Sequence, residues 1–209
     1  MTKNSVAIID YGINNIHSLI KAFSRIEKKA EIVENYKKLK NFNHIILPGV
    51  GSFDMGIKNL HEKGFKDEIQ ILAKKGTNIL GICLGMQLLF QESEESENKI
   101  SGLSLVEGKC KKFTSHRDLS IRIPHMGWNP LKITKKSKLL KNIENNSDFY
   151  FVHSYYAVPN NIDSIIGFCK HGIEFTAAFE LDNIMGVQFH PEKCFKNGLK
   201  ILKQFSALS

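Results

Sequence analysis

The segment Gly81-Ile82-Cys83-Leu84-Gly85 could carry covalent chemistry, because it places a thiol between two glycines. A strand-like apolar run precedes it and a helical pattern follows, so the sulfur lies where strand turns to helix. Such a turn is tight and strained, and larger side chains beside the nucleophile would clash. Free N–H groups at the helix start favour the thiolate. We therefore predict that Cys83 is a nucleophile, in preference to a buried cysteine in a structural turn.

The segment Phe189-His190-Pro191-Glu192 could supply the base that a thiol nucleophile needs. His190 follows a strand pattern, which places it at the carboxyl edge of a sheet, where ligands bind in open α/β folds. Glu192 can accept a hydrogen bond from one imidazole nitrogen, fixing the tautomer and stabilising the imidazolium. Alone, this segment is more often a surface turn. Combined with Cys83, it predicts a triad of Cys83, His190 and Glu192.

A third segment, Pro48-Gly49-Val50-Gly51-Ser52, follows another short strand pattern. Attack on an amide creates a negatively charged tetrahedral intermediate, which backbone N–H groups stabilise. Glycine lets such an N–H turn toward the site, and the N–H of the residue after the nucleophile is the natural second donor. The sequence therefore predicts an oxyanion hole formed by the backbone of Gly51 and Leu84.

The elements that must position these residues alternate in the first half of the chain. Strand patterns cover 5–10, 30–33, 44–47 and 78–82, and helical patterns cover 16–26, 57–60, 65–73 and 84–91, with a break at Gly64. This alternation is typical of a parallel sheet with helices on both faces.

The second half has a different pattern. An acidic stretch at 92–102 predicts an exposed loop, and strand-like runs then cover 105–113, 120–125, 149–153, 164–168, 175–179 and 184–189 before a helix at 198–208. No repeat or long linker divides the 209 residues, so we predict one domain over 1–209. Its class is α/β, with a parallel-to-mixed central sheet, helices on both faces and antiparallel strands in the second half.

The composition argues against several other functions. No apolar run is long enough to span a membrane, and the N-terminus lacks a signal-peptide pattern, so we expect a cytoplasmic protein. The four cysteines form neither a CxxC pair nor a zinc pattern, so no metal, cofactor or disulfide framework is expected. The net charge of +8 comes from scattered lysines without an aromatic RNA-binding signature. We therefore predict no nucleic-acid partner.

Together, the segments at 48–51, 81–87 and 190–192 resemble the class I (triad) glutamine amidotransferases. Within that family, three runs are similar to the glutaminase subunits of imidazole glycerol phosphate synthases, and the resemblance covers almost the whole chain. These runs are Pro124-His125-Met126-Gly127-Trp128-Asn129, Tyr150-Phe151-Val152-His153-Ser154-Tyr155 and Gln188-Phe189-His190-Pro191-Glu192-Lys193.

The resemblance implies a substrate and further site residues. Gln87 and the Gly51 backbone would hold L-glutamine, and His153, Ser154 and Tyr155 would flank its amino-acid end. Because one histidine already serves as the base, we expect structural roles for His125 and His153 in preference to a second base.

The resemblance also implies a heterodimer with a (β/α)₈-barrel cyclase, which uses the ammonia to make imidazole glycerol phosphate in histidine biosynthesis. Residues implied at this interface and its ammonia passage are Asn15, Met126, Trp128, Asn129, Tyr150 and Lys193. A closed passage keeps ammonia unprotonated and nucleophilic. We expect low activity in the isolated chain, with the oxyanion loop turned away until the partner binds its substrate.

Two positions depart from the family pattern, in which Gly commonly stands at position 14 and Ser at position 194; here they are Asn14 and Cys194. Two alternatives stay open. A paralogous subunit would supply ammonia for amino- or amidino-sugar synthesis in surface polysaccharide or flagellin. A non-catalytic regulatory or binding module would keep the fold alone, although the complete triad favours an enzyme. Trp128 fits a core position or an interface anchor equally well.

Overall fold

The computed structural model describes residues 5–12, 15–114 and 121–208. Its strands are β1 Val6–Ile9, β2 Ala30–Val33, β3 His44–Gly49, β4 Asn78–Cys83, β5 Phe90–Ser93, β6 Val106–Lys112, β7 His125–Ile133, β8 Ser147–His153, β9 Tyr155–Pro159, β10 Ile165–His171, β11 Ile173–Leu181 and β12 Ile184–Val187. The α-helices are α1 Ile16–Arg25, α2 Phe53–Glu62, α3 Phe65–Lys74, α4 Leu84–Leu88 and α5 Phe195–Phe205. Short 3₁₀ turns lie at Tyr36–Asn41, Ile162–Ser164 and Pro191–Lys193.

The strands form a mixed sheet in the order β2-β1-β3-β4-β12-β11-β10-β7-β8. From β2 to β12 neighbouring strands are parallel, and from β12 to β8 they are antiparallel. The strands β9, β6 and β5 branch from β11. The predicted fold class is confirmed. Although β12 comes late in the chain, it pairs with β4 in the parallel part, and this pairing positions the site.

Two hydrophobic cores lie on opposite faces of the sheet. Alternate residues of β1 belong to different cores, Val6 and Ile8 to one and Ala7 and Ile9 to the other, because successive side chains of a strand point in opposite directions. Helices α1 and α5 contribute Leu19, Phe23, Leu202 and Phe205 to the first core. Helices α2, α3 and α4 contribute Ile57, Leu60, Ile69, Leu72, Met86 and Leu88 to the second. The predicted covering of both faces by helices is confirmed.

Several predicted boundaries are wrong, because they depend on contacts between distant parts of the chain. The helix after Cys83 ends at Leu88, since Phe90–Ser93 is a strand that pairs with β6. The prediction ended β3 before Pro48, but the strand continues to Gly49 beside β4. Gly64 separates α2 from α3 as predicted, with a positive φ of 74°.

In the second half, the strand predicted at 120–125 is wrong over 121–124, while Ser120 is outside the described residues. Strand β7 begins at His125 and extends to Ile133 because it pairs with β8. The final helix also begins and ends earlier than predicted, at Phe195 and Phe205.

Candidate active site

The turn between β4 and α4 holds Cys83 in a strained conformation, with φ 55° and ψ −113°. Such a conformation costs on the order of 1–3 kcal/mol in a residue other than glycine. A Cβ on Gly81 would lie 2.6 Å from the carbonyl oxygen of Gly85, and one on Gly85 would lie 1.8 Å from that of Leu47. Both flanking glycines are therefore required, because the turn approaches itself and β3 too closely for a side chain.

The pairing of β12 with β4 brings the second predicted segment to this turn. Val187 lies opposite Ile82 in parallel register, so the segments after β12 and β4 leave the sheet at the same edge. His190 follows, and its Nδ1 lies 2.8 Å from Oε1 of Glu192 across the turn at Pro191–Lys193. Both side chains are buried. Among the described residues, His190 Nε2 has no hydrogen-bond partner, so it is free to exchange a proton with a reacting group.

The electrostatic surroundings of His190 favour its charged form. Burial alone would lower the pKa of the imidazole, but the interactions with Cys83 and then with Glu192 outweigh burial and raise it. The hydrogen bonds that the Cys83 Sγ makes by distance and angle are to two other residues. The thiol donates to the carbonyl oxygen of Val152 at 3.8 Å, and Gln188 Nε2 donates to the sulfur at 3.9 Å. This arrangement can support an imidazolium beside a thiolate.

A cavity of about 220 Å³ lies near the Cys83 turn. It is lined by Gly51, Gln87, Glu95, Pro124, Val152, His153, Ser154 and Tyr155. The Nε2 of Gln87 donates to the carbonyl oxygen of Tyr155 at 2.9 Å and to Oε1 of Gln188 at 3.1 Å. Gln188 in turn reaches the Cys83 sulfur. The structure thus brings together the five residues predicted to contact glutamine: Gly51, Gln87, His153, Ser154 and Tyr155.

The predicted oxyanion segment leaves the sheet beside the nucleophile, because Gly49 lies opposite Cys83 in the pairing of β3 with β4. A Cβ on Gly49 would lie 2.6 Å from the hydroxyl oxygen of Tyr11, which donates to the Pro48 carbonyl at 2.7 Å. Gly51 has φ 97° and open space around its missing Cβ. Glycine is therefore required at position 51 by the backbone conformation. The residue lies beside the cavity, which allows its N–H to serve as the predicted oxyanion donor.

Glu95 is a cavity residue that the sequence analysis missed, because it lies in the acidic stretch predicted to be an exposed loop. Its Oε2 accepts a hydrogen bond of 2.8 Å from the N–H of Phe53 at the start of α2. Burial raises the pKa of this carboxyl group. The acidic stretch offered several glutamates, and only folding, which brings the Phe53 N–H to this carboxylate, distinguishes the one that lines the cavity.

An exposed aromatic patch lies on the surface of β7, of β8 and of the segment after Glu192. It consists of Met126, Trp128, Tyr150, Lys193 and Phe195. Met126 is 62% exposed, Trp128 46% and Phe195 74%. The Trp128 ring is parallel to that of Phe195 at 5.8 Å, and Lys193 Nζ lies 5.0 Å from the Tyr150 ring centre. Trp128 is thus a surface residue, and Phe195 joins a set in which the sequence analysis did not include it.

The remaining predicted residues lie near the triad or behind it. Asn15 lines a small cavity together with Gly49, His190 and Glu192, whereas Asn14 lies outside the described residues. The Oδ1 of Asn129 lies 2.9 Å from His125 Nε2.

Cys194, which stands where the family commonly has serine, is buried between the triad and β8. Its thiol donates to the His190 carbonyl at 2.9 Å, and its sulfur accepts the Tyr150 N–H at 3.2 Å. The thiol thus keeps both a donor and an acceptor contact at this position.

Within 5–12, 15–114 and 121–208, no group of three or more His, Cys, Asp or Glu residues could hold a metal ion. No helix in the same ranges is long and apolar enough to cross a membrane.

Comparisons with known proteins agree with this geometry. The family model described as glutamine amidotransferase class-I matches residues 7–207. Imidazole glycerol phosphate synthase subunit HisH of Prochlorococcus marinus is 45% identical over 201 residues, covering 96% of both chains. The subunit of the same name from Moorella thermoacetica is 41% identical over 203 residues, covering 97% of this chain and 94% of that one. The solved structure of PurLQS from Thermotoga maritima has a similar fold, with a TM-score of 0.72 at 20% identity over 97% of both chains. The chain belongs to the class-I glutamine amidotransferase family.

Proposed function

We propose that this chain is the glutaminase subunit of an imidazole glycerol phosphate synthase and hydrolyses L-glutamine to L-glutamate and ammonia. The observation that carries this proposal is the parallel pairing of β4 with β12, which brings the strained Cys83 turn to the buried His190–Glu192 pair. Membership of the amidotransferase family and relatives named as this subunit at 41% and 45% identity support the substrate and the pathway. A cytoplasmic location is part of the proposal.

In this mechanism the Cys83 thiolate attacks the side-chain carboxamide carbon of glutamine. The His190 imidazolium then donates its Nε2 proton to the departing nitrogen, which leaves as ammonia and gives a thioester. Water attacks the thioester while His190 takes up a proton, releasing glutamate. Glu192 keeps the imidazole in the orientation that exposes Nε2, which has no competing partner among the described residues.

Recognition of glutamine uses both ends of the cavity. The N–H groups of Gly51 and Leu84 stabilise the oxyanion of the tetrahedral intermediate. The Glu95 carboxylate pairs with the α-ammonium group of the substrate, because it is an acidic side chain among the cavity residues. Backbone groups at Ser154 and Tyr155 hold the α-carboxylate.

The word subunit in the relatives' names supports a partner chain, and we propose that this partner is a (β/α)₈ cyclase. The aromatic patch around Trp128 is its contact surface, since exposed aromatic side chains are typical of interface anchors. Asn15, beside His190 and Glu192, lies at the start of the passage for ammonia. A closed passage preserves the neutral, nucleophilic form of ammonia.

The proposal is tested by expressing the chain in a bacterium that lacks its own glutaminase subunit and requires histidine. Co-expression with the cyclase from the same genome is expected to restore growth without histidine, whereas a Cys83→Ala chain is not. If the wild-type chain is produced and binds the cyclase without restoring growth or releasing glutamate, the histidine assignment fails. Purification with an amino-sugar synthase instead would favour the paralogous function.

A further inference from the structure

Two buried histidines that the mechanism does not use form a direct contact beside the glutamine cavity. His125 and His153 lie opposite each other in the pairing of β7 with β8. His125 Nδ1 is 3.0 Å from His153 Nε2, and His153 Nδ1 is 2.7 Å from the Tyr155 carbonyl oxygen. At the other end, His125 Nε2 is 2.9 Å from Oδ1 of Asn129. A continuous polar chain therefore connects β7 with the cavity.

The direction of these hydrogen bonds follows from the carbonyl group at one end. The Tyr155 oxygen only accepts, so His153 Nδ1 carries the proton, and burial keeps this histidine neutral by lowering its pKa to about 3. Its Nε2 is then an acceptor, and His125 Nδ1 must donate to it. The protonation of both rings at their shared contact is thereby fixed.

At the Asn129 end of this polar chain two arrangements satisfy the hydrogen bonds, and burial, which lowers the pKa of His125, favours the one with a neutral ring. With Oδ1 of Asn129 facing His125 Nε2, both nitrogens of His125 must carry protons, which makes the ring cationic. A neutral ring instead needs the Nδ2 group of Asn129 as a donor, which a half-turn of the side-chain amide supplies. The orientation of the Asn129 amide and the proton on His125 are thus set together.

The polar chain continues from Tyr155 to the nucleophile. The same Tyr155 carbonyl accepts from Nε2 of Gln87, which also donates to Gln188, and Gln188 reaches the sulfur of Cys83. His153 and Gln87 therefore share one acceptor on the cavity wall. Displacing that carbonyl would move the Gln87 amide and with it the substrate position.

Aromatic rings enclose the histidine pair and keep it in place. Phe113 and Phe175 both lie within 5.5 Å of the His153 ring centre, while Phe151 and His171 stack on His125 at 5.0 and 4.2 Å. Nε2 of His171 donates to the Arg122 carbonyl at 2.8 Å, which fixes that ring as well. Such packing leaves the imidazoles little freedom to find other partners.

We propose that His153 and His125 are positioning residues that hold the Tyr155 carbonyl against Gln87, and that this hold responds to the amide of Asn129 on the strand that carries Trp128. The inference rests on the proposed function, because Tyr155 and Gln87 act only if the cavity binds glutamine. Neither histidine touches the reacting atoms. The pair transmits the state of the β7 surface to the substrate cavity.

A matched pair of substitutions tests the role of His153. His153→Asn keeps a donor near the Nδ1 position toward Tyr155, whereas His153→Gln places its amide near the Nε2 position and loses that donor. The full chain, bound to its cyclase with the acceptor substrate present, is treated with 6-diazo-5-oxo-L-norleucine, and the rate at which Cys83 is modified is followed over a range of concentrations. The concentration at half-saturation measures how tightly the cavity binds the reagent, and the maximal rate measures the reactivity of the Cys83 thiol.

We expect His153→Gln to require about tenfold more reagent for half-saturation than His153→Asn, the effect of one lost buried hydrogen bond. The maximal rates of the two variants are expected to agree within about threefold, because the triad is untouched. Equal half-saturation for both variants, or a difference confined to the maximal rate, would overturn the role of His153.

The response to Asn129 is tested by a double-mutant cycle. His125→Asn keeps the donor to His153 but no longer reaches Asn129. Asn129→Ala is expected to change half-saturation about threefold in the wild-type background and not at all in the His125→Asn background, because coupled residues give non-additive effects. Equal effects of Asn129→Ala in both backgrounds would contradict the link.

The same assay separates this inference from the proposed function. If the wild-type chain is not modified at Cys83 even with its cyclase and acceptor substrate present, or if glutamine does not slow the modification, the proposed function fails. If the wild-type chain is modified and protected but the His153 pair behaves identically, only the positioning role fails.

Discussion

The parallel and antiparallel parts of the sheet contribute different things to the site. The parallel strands β3, β4 and β12 end at one edge and present the groups proposed for chemistry: Gly51, Cys83, His190 and Glu192. The antiparallel strands β7, β8 and β9 supply His153, Ser154, Tyr155 and the exposed Trp128. The ends of the parallel strands fix the positions of the nucleophile and its base. The paired antiparallel strands form a wall of the cavity and extend from it to the protein surface. We therefore expect changes in the parallel part to lower maximal rates, and changes in the antiparallel part to alter binding.

The largest expected effect is that of Cys83→Ala. It should lower glutaminase activity at least about a thousandfold, because the nucleophile is removed. Binding of the cyclase should persist, since Cys83 is buried and does not contribute to the exposed aromatic patch. Ammonium salts at alkaline pH should restore synthesis by the complex. Failure of this rescue would show that Cys83 also has a structural role.

His190→Ala and Glu192→Gln should differ in size. Loss of the base should reduce the rate on the order of a thousandfold, and loss of the carboxylate charge by about 10- to 100-fold. Glu192 helps to raise the pKa of His190. Without its charge the imidazolium is lost at a lower pH, so the alkaline limb of the kcat/KM profile should move toward acid. An alkaline limb that stays in place or moves the other way would contradict the assigned contact.

Gly85→Ala should destabilise the parallel part of the sheet, because the added Cβ would lie 1.8 Å from the Leu47 carbonyl oxygen. We expect the free energy of unfolding in urea to fall by about 3 kcal/mol or more. Gly76→Ala is the comparison variant: Gly76 has a positive φ of 85°, which Gly85 does not, but it has open space where its Cβ would lie. It should cost only about 1–2 kcal/mol. Similar losses at both positions would argue against crowding at the turn.

Trp128→Ala tests the antiparallel part. It should weaken cyclase binding by about 2 kcal/mol, or roughly 30-fold in Kd, because Trp128 is an exposed aromatic anchor in the patch. Labelling of the isolated chain by the glutamine analogue should be unchanged. Ile162→Ala is the control: Ile162 is 71% exposed in a separate 3₁₀ turn and should leave Kd as it is. Equal losses would mean that this patch is not the contact surface.

The smallest effect is expected from Cys194→Ser, at the junction of the two parts. A serine hydroxyl can donate to the His190 carbonyl and accept from the Tyr150 N–H as the thiol does. The turnover rate should therefore stay within about threefold, a difference below about 1 kcal/mol. Cys194→Ala, which removes both contacts, should reduce it further. If serine is as harmful as alanine, these hydrogen bonds do not position His190.

The same division separates what the sequence could predict from what it could not. The alternation of strand and helix patterns predicted the parallel part, and the local patterns around Cys83 and in the Pro191-Glu192 segment predicted its site residues. The placement of Glu95 depends on its contact with the Phe53 N–H, and the His125–His153 contact depends on the pairing of β7 with β8. Neither contact leaves a signal in the local hydrophobic pattern. Phe195 was missed for the same reason, since only folding brings it onto Trp128.

The identity of the nucleophile is tested most directly by mapping the covalent adduct of 6-diazo-5-oxo-L-norleucine. The full chain, with its cyclase and acceptor substrate present, is treated with the analogue, digested and analysed by mass spectrometry. We predict one adduct, on Cys83, whose formation is blocked by excess glutamine and is greatly slowed in His190→Ala. An adduct on Cys110, Cys169 or Cys194, or no adduct under these conditions, would contradict the account.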